Sequence, residues 1–212
     1  NYGLTETSSI VSSEGLISKE RKKGSVGKRL FNNMIKIVKN NKYDVHGEVY
    51  VKGKNLFTHY LNNKKLSKSK FKKHWFKTGD LGYIDKKNFL FIKDRIDNMI
   101  IISGENIYPT EIERYLHKFK RIKLGVVSSL PDELVQNKLI LVYEGAKKIQ
   151  KDKFKKIMSK YISSFKIPKL IYHCSELKLE QIPKAPNQKI LRTKLKNYLL
   201  KNKKLIEEFD KV

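Results

Sequence analysis

The segment from Arg95 to Glu113, with the sequence RIDNMIIISGENIYPTEIE, constrains the fold of this chain more than any other. An arginine and an acidic residue open it, an apolar strand leads into Ser103-Gly104-Glu105-Asn106, and a helix beginning at Pro109 follows. Short β-type runs precede this segment, whereas helical patterns become frequent after it. The sequence therefore predicts two structural halves that meet near residues 94–97.

The first half contains runs of β-forming residues that are separated by turn residues. A turn at Asp85-Lys86-Lys87 joins the last two runs, which is typical of a hairpin. The predicted strands are Met34–Val38, Glu48–Lys52, Leu81–Ile84 and Asn88–Lys93. We expect this half to form a hairpin-rich, barrel-like piece.

The second half mixes helical and strand patterns, so we expect a small α+β domain. Thr110 and Glu113 fit a capping box behind Pro109. Apolar residues recur at helical spacing at Ile112, Tyr115, Leu116 and Phe119, and again at Phe154, Ile157, Met158, Tyr161 and Ile162. Strands are predicted at Leu124–Val127 and Lys138–Tyr143, and a last helix is predicted from about Leu191, after the break Pro183–Pro186.

The composition indicates a globular protein. With 212 residues, 39% of them hydrophobic, the chain can bury a core. No apolar run approaches the ~18–20 residues of a membrane span. Cys174 is the single cysteine, which excludes an internal disulfide framework, and we expect a cytoplasmic protein. The chain has no initiator Met and opens on a candidate functional loop, so we expect it to begin within a longer protein.

The strong positive charge has two interpretations. With 47 Lys and Arg against 21 Asp and Glu, the net charge of +26 would attract nucleic acid, anionic lipid or phosphorylated ligands. Lysine is spread through the chain, however, often beside asparagine, as in residues 63–73 and 201–204. A biased base composition gives the same pattern on solvated faces. We therefore expect no specific nucleic-acid partner, while peripheral membrane contact through the basic surface and the oligomeric state stay open.

Residues 2–6, Tyr-Gly-Leu-Thr-Glu, form the first candidate site. The ring of Tyr2 can stack on a nucleobase, and Gly3 lets the backbone approach a ligand. A hydroxyl at Thr5 next to a carboxylate at Glu6 can serve a phosphate and its Mg²⁺. On the residues alone, an ordinary turn is the alternative.

Asp80 and the start of the 95–113 segment form two further candidates. Asp80 follows Thr78-Gly79 and would be a bidentate acceptor for two adjacent sugar hydroxyls, or would cap its own turn. Arg95 can pair with a ribose or phosphate oxygen, or form a structural salt bridge. Asp97 lies at the junction of the halves, where a hinge needs only a few residues.

The fourth candidate is Lys189, within IPKAPNQKILR at residues 182–192. A lysine on a proline-bounded loop can deliver a point charge to developing negative charge on carboxylate and phosphate oxygens. In a chain this rich in lysine, a lone lysine is more often a solvated surface residue.

Together these motifs resemble the adenylate-forming superfamily of acyl-CoA synthetases, peptide-synthetase adenylation domains and luciferases. The chain is similar to the motifs Y-G-x-T-E, T-G-D and P-K-T-x-N-G-K-x-x-R, in that order and over nearly its whole length. Two residues depart from the last motif: Ala185 replaces the usual Thr, and Gln188 the usual Gly. If that Gly supplies a positive φ angle, Gln188 is strained and Lys189 is misplaced.

The resemblance implies a role for each candidate. For the nucleotide, these roles are stacking on adenine for Tyr2, the α-phosphate for Thr5, Mg²⁺ for Glu6, and the ribose for Asp80 and Arg95. For domain movement and the second step, Asp97 would be the pivot, and Ser103 and Gly104 would line the pantetheine tunnel. Lys189 would catalyse adenylation. Residues 1–95 would be the end of the large AMP-binding N-terminal domain, with its β-barrel-like subdomain, and residues 96–212 the mobile C-terminal domain.

The implied activity is that of an AMP-forming ligase, which uses ATP, Mg²⁺ and CoA to convert a small carboxylic acid first to an acyl-adenylate and then to a thioester. Loading of the phosphopantetheine of an acyl carrier protein is the alternative within the class. A non-catalytic basic binding protein with the same fold is the alternative from another class. The pocket that selects the acid would lie upstream of these residues.

Overall fold

The computed structural model describes residues 1–15, 21–42, 44–146, 149–204 and 206. The chain divides into two compact units, Asn1–Asp97 and Asn98–Val212. None of the helices in the described ranges has the length and the apolar character needed to cross a membrane.

The first unit is mostly β-structure, in two sheets. A three-stranded antiparallel sheet contains β1 (Tyr2–Leu4), β2 (Ser9–Ser13) and β3 (Lys28–Arg29) in that order. The second sheet has the order β4-β5-β7-β6, with β8 also paired to β7. Its strands are β4 (Asn33–Val38), β5 (Gly47–Gly53), β6 (Phe71–Lys72), β7 (Trp75–Ile84) and β8 (Leu90–Arg95), and helix α1 (Lys64–Lys70) precedes β6.

Burial of alternating apolar residues holds this unit together. Val49 and Val51 on β5 are fully buried and pack with Val11 and Leu90. Asp85 accepts hydrogen bonds from the backbone of Lys87 and Phe89, which fixes the turn between β7 and β8. The predicted β-rich piece is confirmed, although its sheets are open and the described strands form no closed barrel.

The second unit has a two-stranded hairpin, formed by its first two strands, and a three-stranded sheet with a hydrophobic core on each face. Its strands are β9 (Ile100–Ile102), β10 (Glu105–Ile107), β11 (Ile122–Asp132), β12 (Gln136–Gly145) and β13 (Leu170–His173). Its helices are α2 (Pro109–Glu113), α3 (Lys151–Met158) and α4 (Arg192–Lys201). β12 lies in the centre of the sheet, antiparallel to β11 and parallel to β13.

Successive side chains of β12 point to opposite faces of the sheet, which separates the two cores. Leu139, Leu141 and Tyr143 pack on one face with residues of α2 and α3. Ile140 and Val142 pack on the other face with residues of α4. The predicted α+β class is therefore confirmed.

Two details of the helix after Pro109 differ from the prediction. The α-helix ends at Glu113, and the following turn, Leu116–Lys118, is a 3-10 helix. The predicted capping box of Thr110 and Glu113 is wrong, because Thr110 lies inside the helix. The residue before the helix is Tyr108, which makes no side-chain cap hydrogen bond. The Glu113 carboxylate instead accepts a hydrogen bond from Val127 N at 2.7 Å, which ties α2 to β11.

Candidate functional site

Three of the predicted site residues meet in the first unit around Asp80. The phenol of Tyr2 donates a hydrogen bond to Asp80 Oδ2 at 2.5 Å. Arg95 Nη1 lies 3.7 Å from Asp80 Oδ1. Asp80 and Arg95 are register partners on β7 and β8, and the Asp80 residue is 5% exposed. One carboxylate therefore joins an aromatic ring and a guanidinium that are distant in sequence.

The backbone around Thr78 and Gly79 fixes the direction of the Asp80 side chain. The Thr78 hydroxyl donates to Val49 O at 2.8 Å and accepts from Asp80 N at 3.0 Å. Gly79 has a φ of 77°, and a Cβ there would lie 2.8 Å from Arg95 Nη2. A side chain at position 79 would therefore push Arg95 away, which gives a physical reason for the glycine.

The electrostatic environment keeps Tyr2 protonated. Burial, followed by the negative charge of Asp80 and the hydrogen bond to it, raises the pKa of Tyr2 well above its usual range. The phenol therefore remains a hydrogen-bond donor to the carboxylate. A cavity of about 360 Å³ lies beside this end of the chain, lined by Asn1, Tyr2, Gly3, Leu4, Thr5, Ser9 and Ile10.

Gly3 and Glu6 have clear local roles, whereas Thr5 is exposed. A Cβ on Gly3 would lie 1.8 Å from Ser9 O, so β1 and β2 approach too closely for another residue. Glu6 Oε1 accepts a hydrogen bond from the Tyr60 hydroxyl at 2.9 Å. Burial and this hydrogen bond raise the pKa of Tyr60 to about 12. Thr5 lies in the 3-10 turn Thr5–Thr7 with its side chain open to solvent.

Glu6 could serve as a ligand for a Mg²⁺ ion that also binds water and phosphate, but not for a metal ion that is held by side chains alone. Within the ranges that the structure describes, no group of three or more His, Cys, Asp or Glu side chains could hold a metal ion. Mg²⁺ commonly takes only one or two carboxylates and completes its shell with water and substrate phosphates. A single carboxylate at Glu6, beside the Thr5 hydroxyl, fits that pattern.

Asp97 is the last residue of the first unit. It lies in the 3-10 turn Ile96–Asn98, and its side chain is 78% exposed. Its Oδ2 lies 3.6 Å from Arg95 Nη2. Arg95 is thus shared between the carboxylates of Asp80 and Asp97.

Ser103 and Gly104 form the tip of the β9–β10 hairpin in the second unit. Ile102 and Glu105 are the paired residues on either side. Both tip residues have positive φ angles, 48° and 82°, as a two-residue type I′ turn requires. Ser103 N donates to Val135 O at 3.2 Å, whereas a Cβ on Gly104 would meet nothing within 4 Å. The tip is anchored on one side and open on the other.

Lys189 lies on a small hairpin of the second unit, and its side chain is exposed. Lys184 and Ile190 form an antiparallel bridge. Ala185 N donates to Lys189 O, and Gln188 N donates to Ala185 O, both at 2.8 Å. This pattern is that of a three-residue hairpin loop, in which the last loop residue adopts the left-handed conformation.

Gln188 occupies that left-handed position, with a φ of 65°. Glycine is the residue that adopts this conformation without a steric cost, so Gln188 carries backbone strain immediately before Lys189. The structure thus meets the condition that the sequence left open, a positive φ angle at position 188. The loop hydrogen bonds form nevertheless, and Lys189 N also donates to Asn187 Oδ1 at 3.2 Å.

Comparison with known proteins agrees with this arrangement of motifs. The family model for AMP-binding enzymes matches residues 1–61. A 2-succinylbenzoate–CoA ligase from Listeria monocytogenes is 36% identical over 196 residues, which are 92% of this chain and 40% of that protein. The chain belongs to the adenylate-forming superfamily.

Solved structures of the superfamily give the same result. The o-succinylbenzoate CoA synthetase (MenE) of Bacillus subtilis, in complex with the acyl-adenylate intermediate OSB-AMP, is similar to this chain with a TM-score of 0.82 and 33% identity. The same synthetase in complex with ATP and magnesium gives a TM-score of 0.80 and 34% identity. Each comparison covers 92% of this chain and 40% of the other. The chain thus spans about 40% of the length of the relatives that it matches.

Motif reasoning did not assign a role to some residues that shape the candidate site. Tyr60 holds Glu6, and the Thr78 hydroxyl aims Asp80. Glu144 on β12 contacts the Lys189 hairpin. No sequence pattern identifies Tyr60 or Glu144, because each contact joins residues at least 38 positions apart. Thr78 belongs to the T-G-D motif, and the structure adds that its hydroxyl holds the backbone of Asp80.

Proposed function

We propose that this chain is the C-terminal part of an AMP-forming carboxylate–CoA ligase. Residues 1–95 would complete its AMP-binding domain, and residues 96–212 would be the mobile C-terminal domain. The observation that carries the proposal is the cluster of Tyr2, Asp80 and Arg95. It combines a flat ring, a carboxylate acceptor and a fixed cation, which are the groups that a nucleoside phosphate requires.

The proposed reaction has two steps. A carboxylate oxygen of the acid attacks the α-phosphorus of ATP, and the bond to pyrophosphate breaks. The sulfur of the CoA thiol then attacks the acyl carbon of the adenylate, loses its proton, and displaces AMP. Bound Mg²⁺ would neutralise phosphate charge in the first step. Both names given to the relatives above specify 2-succinylbenzoate as the acid, so this is the substrate to test first.

In this proposal the residues divide between the two steps. Tyr2, Thr5, Glu6 and Asp80 hold the nucleotide, and Gly3 keeps the first loop compact. Arg95 serves the ribose. Lys189 stabilises charge on the reacting oxygens in the first step. Rotation about Asp97 then replaces Lys189 by the tip residues Ser103 and Gly104, beside which the thiol of CoA would pass.

The test is exchange of labelled pyrophosphate into ATP by the full-length protein that contains this chain. Exchange should depend on 2-succinylbenzoate. Asp80→Ala should weaken ATP binding by about 30- to 150-fold, because losing hydrogen bonds to two ribose hydroxyls costs about 2–3 kcal/mol. Asp85→Ala is the matched control, since it removes a carboxylate from the turn after the same strand and should leave ATP affinity unchanged. Absence of exchange with a broad panel of acids would refute the ligase proposal.

A second measurement distinguishes the two possible thiol acceptors, free CoA and a carrier protein. Thioester formation with free CoA supports the proposed reaction, whereas reaction only with a phosphopantetheine-bearing carrier protein supports the alternative. The cytoplasmic location remains part of this proposal.

One observation favours a non-catalytic protein with the same fold. Gln188 is strained in the left-handed region, where the superfamily motif has glycine. The retained Glu6, Asp80, Arg95 and Lys189 oppose that view, because a purely structural descendant has no physical need of all of them.

A further inference from the structure

Each end of the Lys189 hairpin is held by a carboxylate from a different element. At the C-terminal end, Arg192 Nη1 and Nη2 donate to Glu113 Oε1 and Oε2 at 2.8 and 2.5 Å. Glu113 Oε1 also accepts from Val127 N. This two-pronged contact fixes the residue that lies three positions after Lys189 to both α2 and β11.

The second contact holds the N-terminal end. Glu144 Oε1 on β12 accepts from Ile182 N at 2.8 Å, and Lys184 Nζ lies 3.3 Å from Glu144 Oε2. Ile182 itself is fully buried. Leu191 N donates to Pro183 O at 2.9 Å and thereby closes the base of the hairpin between the two carboxylates.

The tip of the hairpin has no comparable support. Residues 186–189 are all exposed, and the hydrogen bonds of the Lys189 backbone to Ala185 and Asn187 remain within the loop. The backbone at Lys189 is therefore held in place through the two ends of the hairpin. We propose that Glu113 and Glu144 are positioning residues for Lys189 in the adenylation step, an inference that rests on the proposed ligase function.

Glu113→Gln and Glu144→Gln in the full-length protein test this inference. Each variant keeps the size of the side chain and removes the charge that holds the hairpin end. Adenylation, measured by pyrophosphate exchange, should fall about 10- to 100-fold in kcat, because displacing a catalytic group by about 1 Å costs up to 10²-fold. Thioester formation from supplied acyl-adenylate should remain at the wild-type rate. A variant equally impaired in both half-reactions would show a structural role only.

Glu111→Gln is the matched control. Glu111 lies on the same helix as Glu113, and its Oε1 pairs with Lys166 Nζ at 2.8 Å, with both side chains about one-fifth exposed. This pair does not touch the Lys189 hairpin, so the control should adenylate at the wild-type rate. If Glu113→Gln fails to fold, Glu144→Gln gives the same readout at the other end.

A double-mutant comparison separates action through Lys189 from a general effect. In a Lys189→Ala background, Glu113→Gln should cause no further loss of adenylation, because the group that it positions is gone. A further tenfold loss would overturn the inference, as would Glu113 and Glu144 variants with wild-type adenylation while Lys189→Ala adenylates far more slowly than the wild type. If the wild-type protein adenylates no acid, the ligase proposal fails first and this inference fails with it.

Discussion

Replacing Gln188 by glycine should stabilise the protein. A non-glycine residue in the left-handed region costs roughly 1–2 kcal/mol, and Gln188 has a φ of 65°. Glycine loses about 0.5–1 kcal/mol more backbone entropy on folding. At the middle of both ranges, the difference leaves a net gain of about 0.75 kcal/mol for Gln188→Gly. The side chain of Gln188 is exposed, so its loss removes little packing.

Thermal unfolding followed by circular dichroism measures this gain. For a chain of this size, about 1 kcal/mol corresponds to roughly 2–4 °C in Tm, so Gln188→Gly should raise Tm by about 1–4 °C. Gln188→Ala is the control, because it removes the same side chain but keeps the Cβ and hence the strain. If Gln188→Ala raises Tm as much as Gln188→Gly, the gain does not come from the backbone and the reasoning is wrong.

Further variants test the nucleotide cluster and the hinge. Gly79→Ala should destabilise the fold by about 0.75 kcal/mol, because the cost of alanine at a φ of 77° exceeds the backbone entropy that it saves. It should also weaken ATP binding, because its Cβ would displace Arg95; unfolding and ATP titration measure the two effects. Burial and the hydrogen bond to Glu6 raise the pKa of Tyr60 to about 12, so the folded state retains that proton longer than the unfolded chain. The stability that Tyr60 contributes below pH 10 should be lost between pH 10 and 12. Urea unfolding should show this loss in the wild-type protein but not in Tyr60→Phe. Asp97→Pro fixes φ near −65° and should preserve adenylation while slowing thioester formation. If both steps run at the wild-type rates in this variant, the assignment of Asp97 as the pivot is contradicted.

The sequence predicts the strands of this protein better than its helices. Apolar runs mark β4, β5 and β12 to within two positions, because one or both faces of each strand enter a core, whereas the predicted Leu124–Val127 covers only the first part of β11. Apolar residues at Tyr115, Leu116 and Phe119 continue the helical spacing of α2, yet the α-helix ends at Glu113. At that end the Glu113 carboxylate contacts β11 and Arg192, and these long-range contacts are not visible in the sequence. The sequence does not predict β13, because its four residues are too few to show the two-residue period of a strand.

For the candidate site, the motifs identify residues but not the bonds between them. The sequence pointed separately to Tyr2, Asp80 and Arg95, whereas the structure shows that Tyr2 donates to Asp80 across 78 positions. At position 188 the sequence shows only the difference from the glycine of the motif, whereas the positive φ angle is known from the structure. Glu144 could not be predicted as a partner of the Lys189 hairpin, since nothing in its strand distinguishes it from a solvated carboxylate.

The contact between Glu113 and Arg192 joins residues 79 positions apart, which affects the order of events during synthesis. Domains fold largely as units as the chain emerges, and pairings distant in sequence form late. Strands β11 and β12 can pair as soon as residue 145 has emerged. The hairpin that carries Lys189 cannot be fixed until Arg192 has left the ribosome, and Leu195 and Leu199 must follow to complete the core beneath it. We expect a nascent chain stalled before residue 192 to contain Lys189 but to hold it on an unanchored loop.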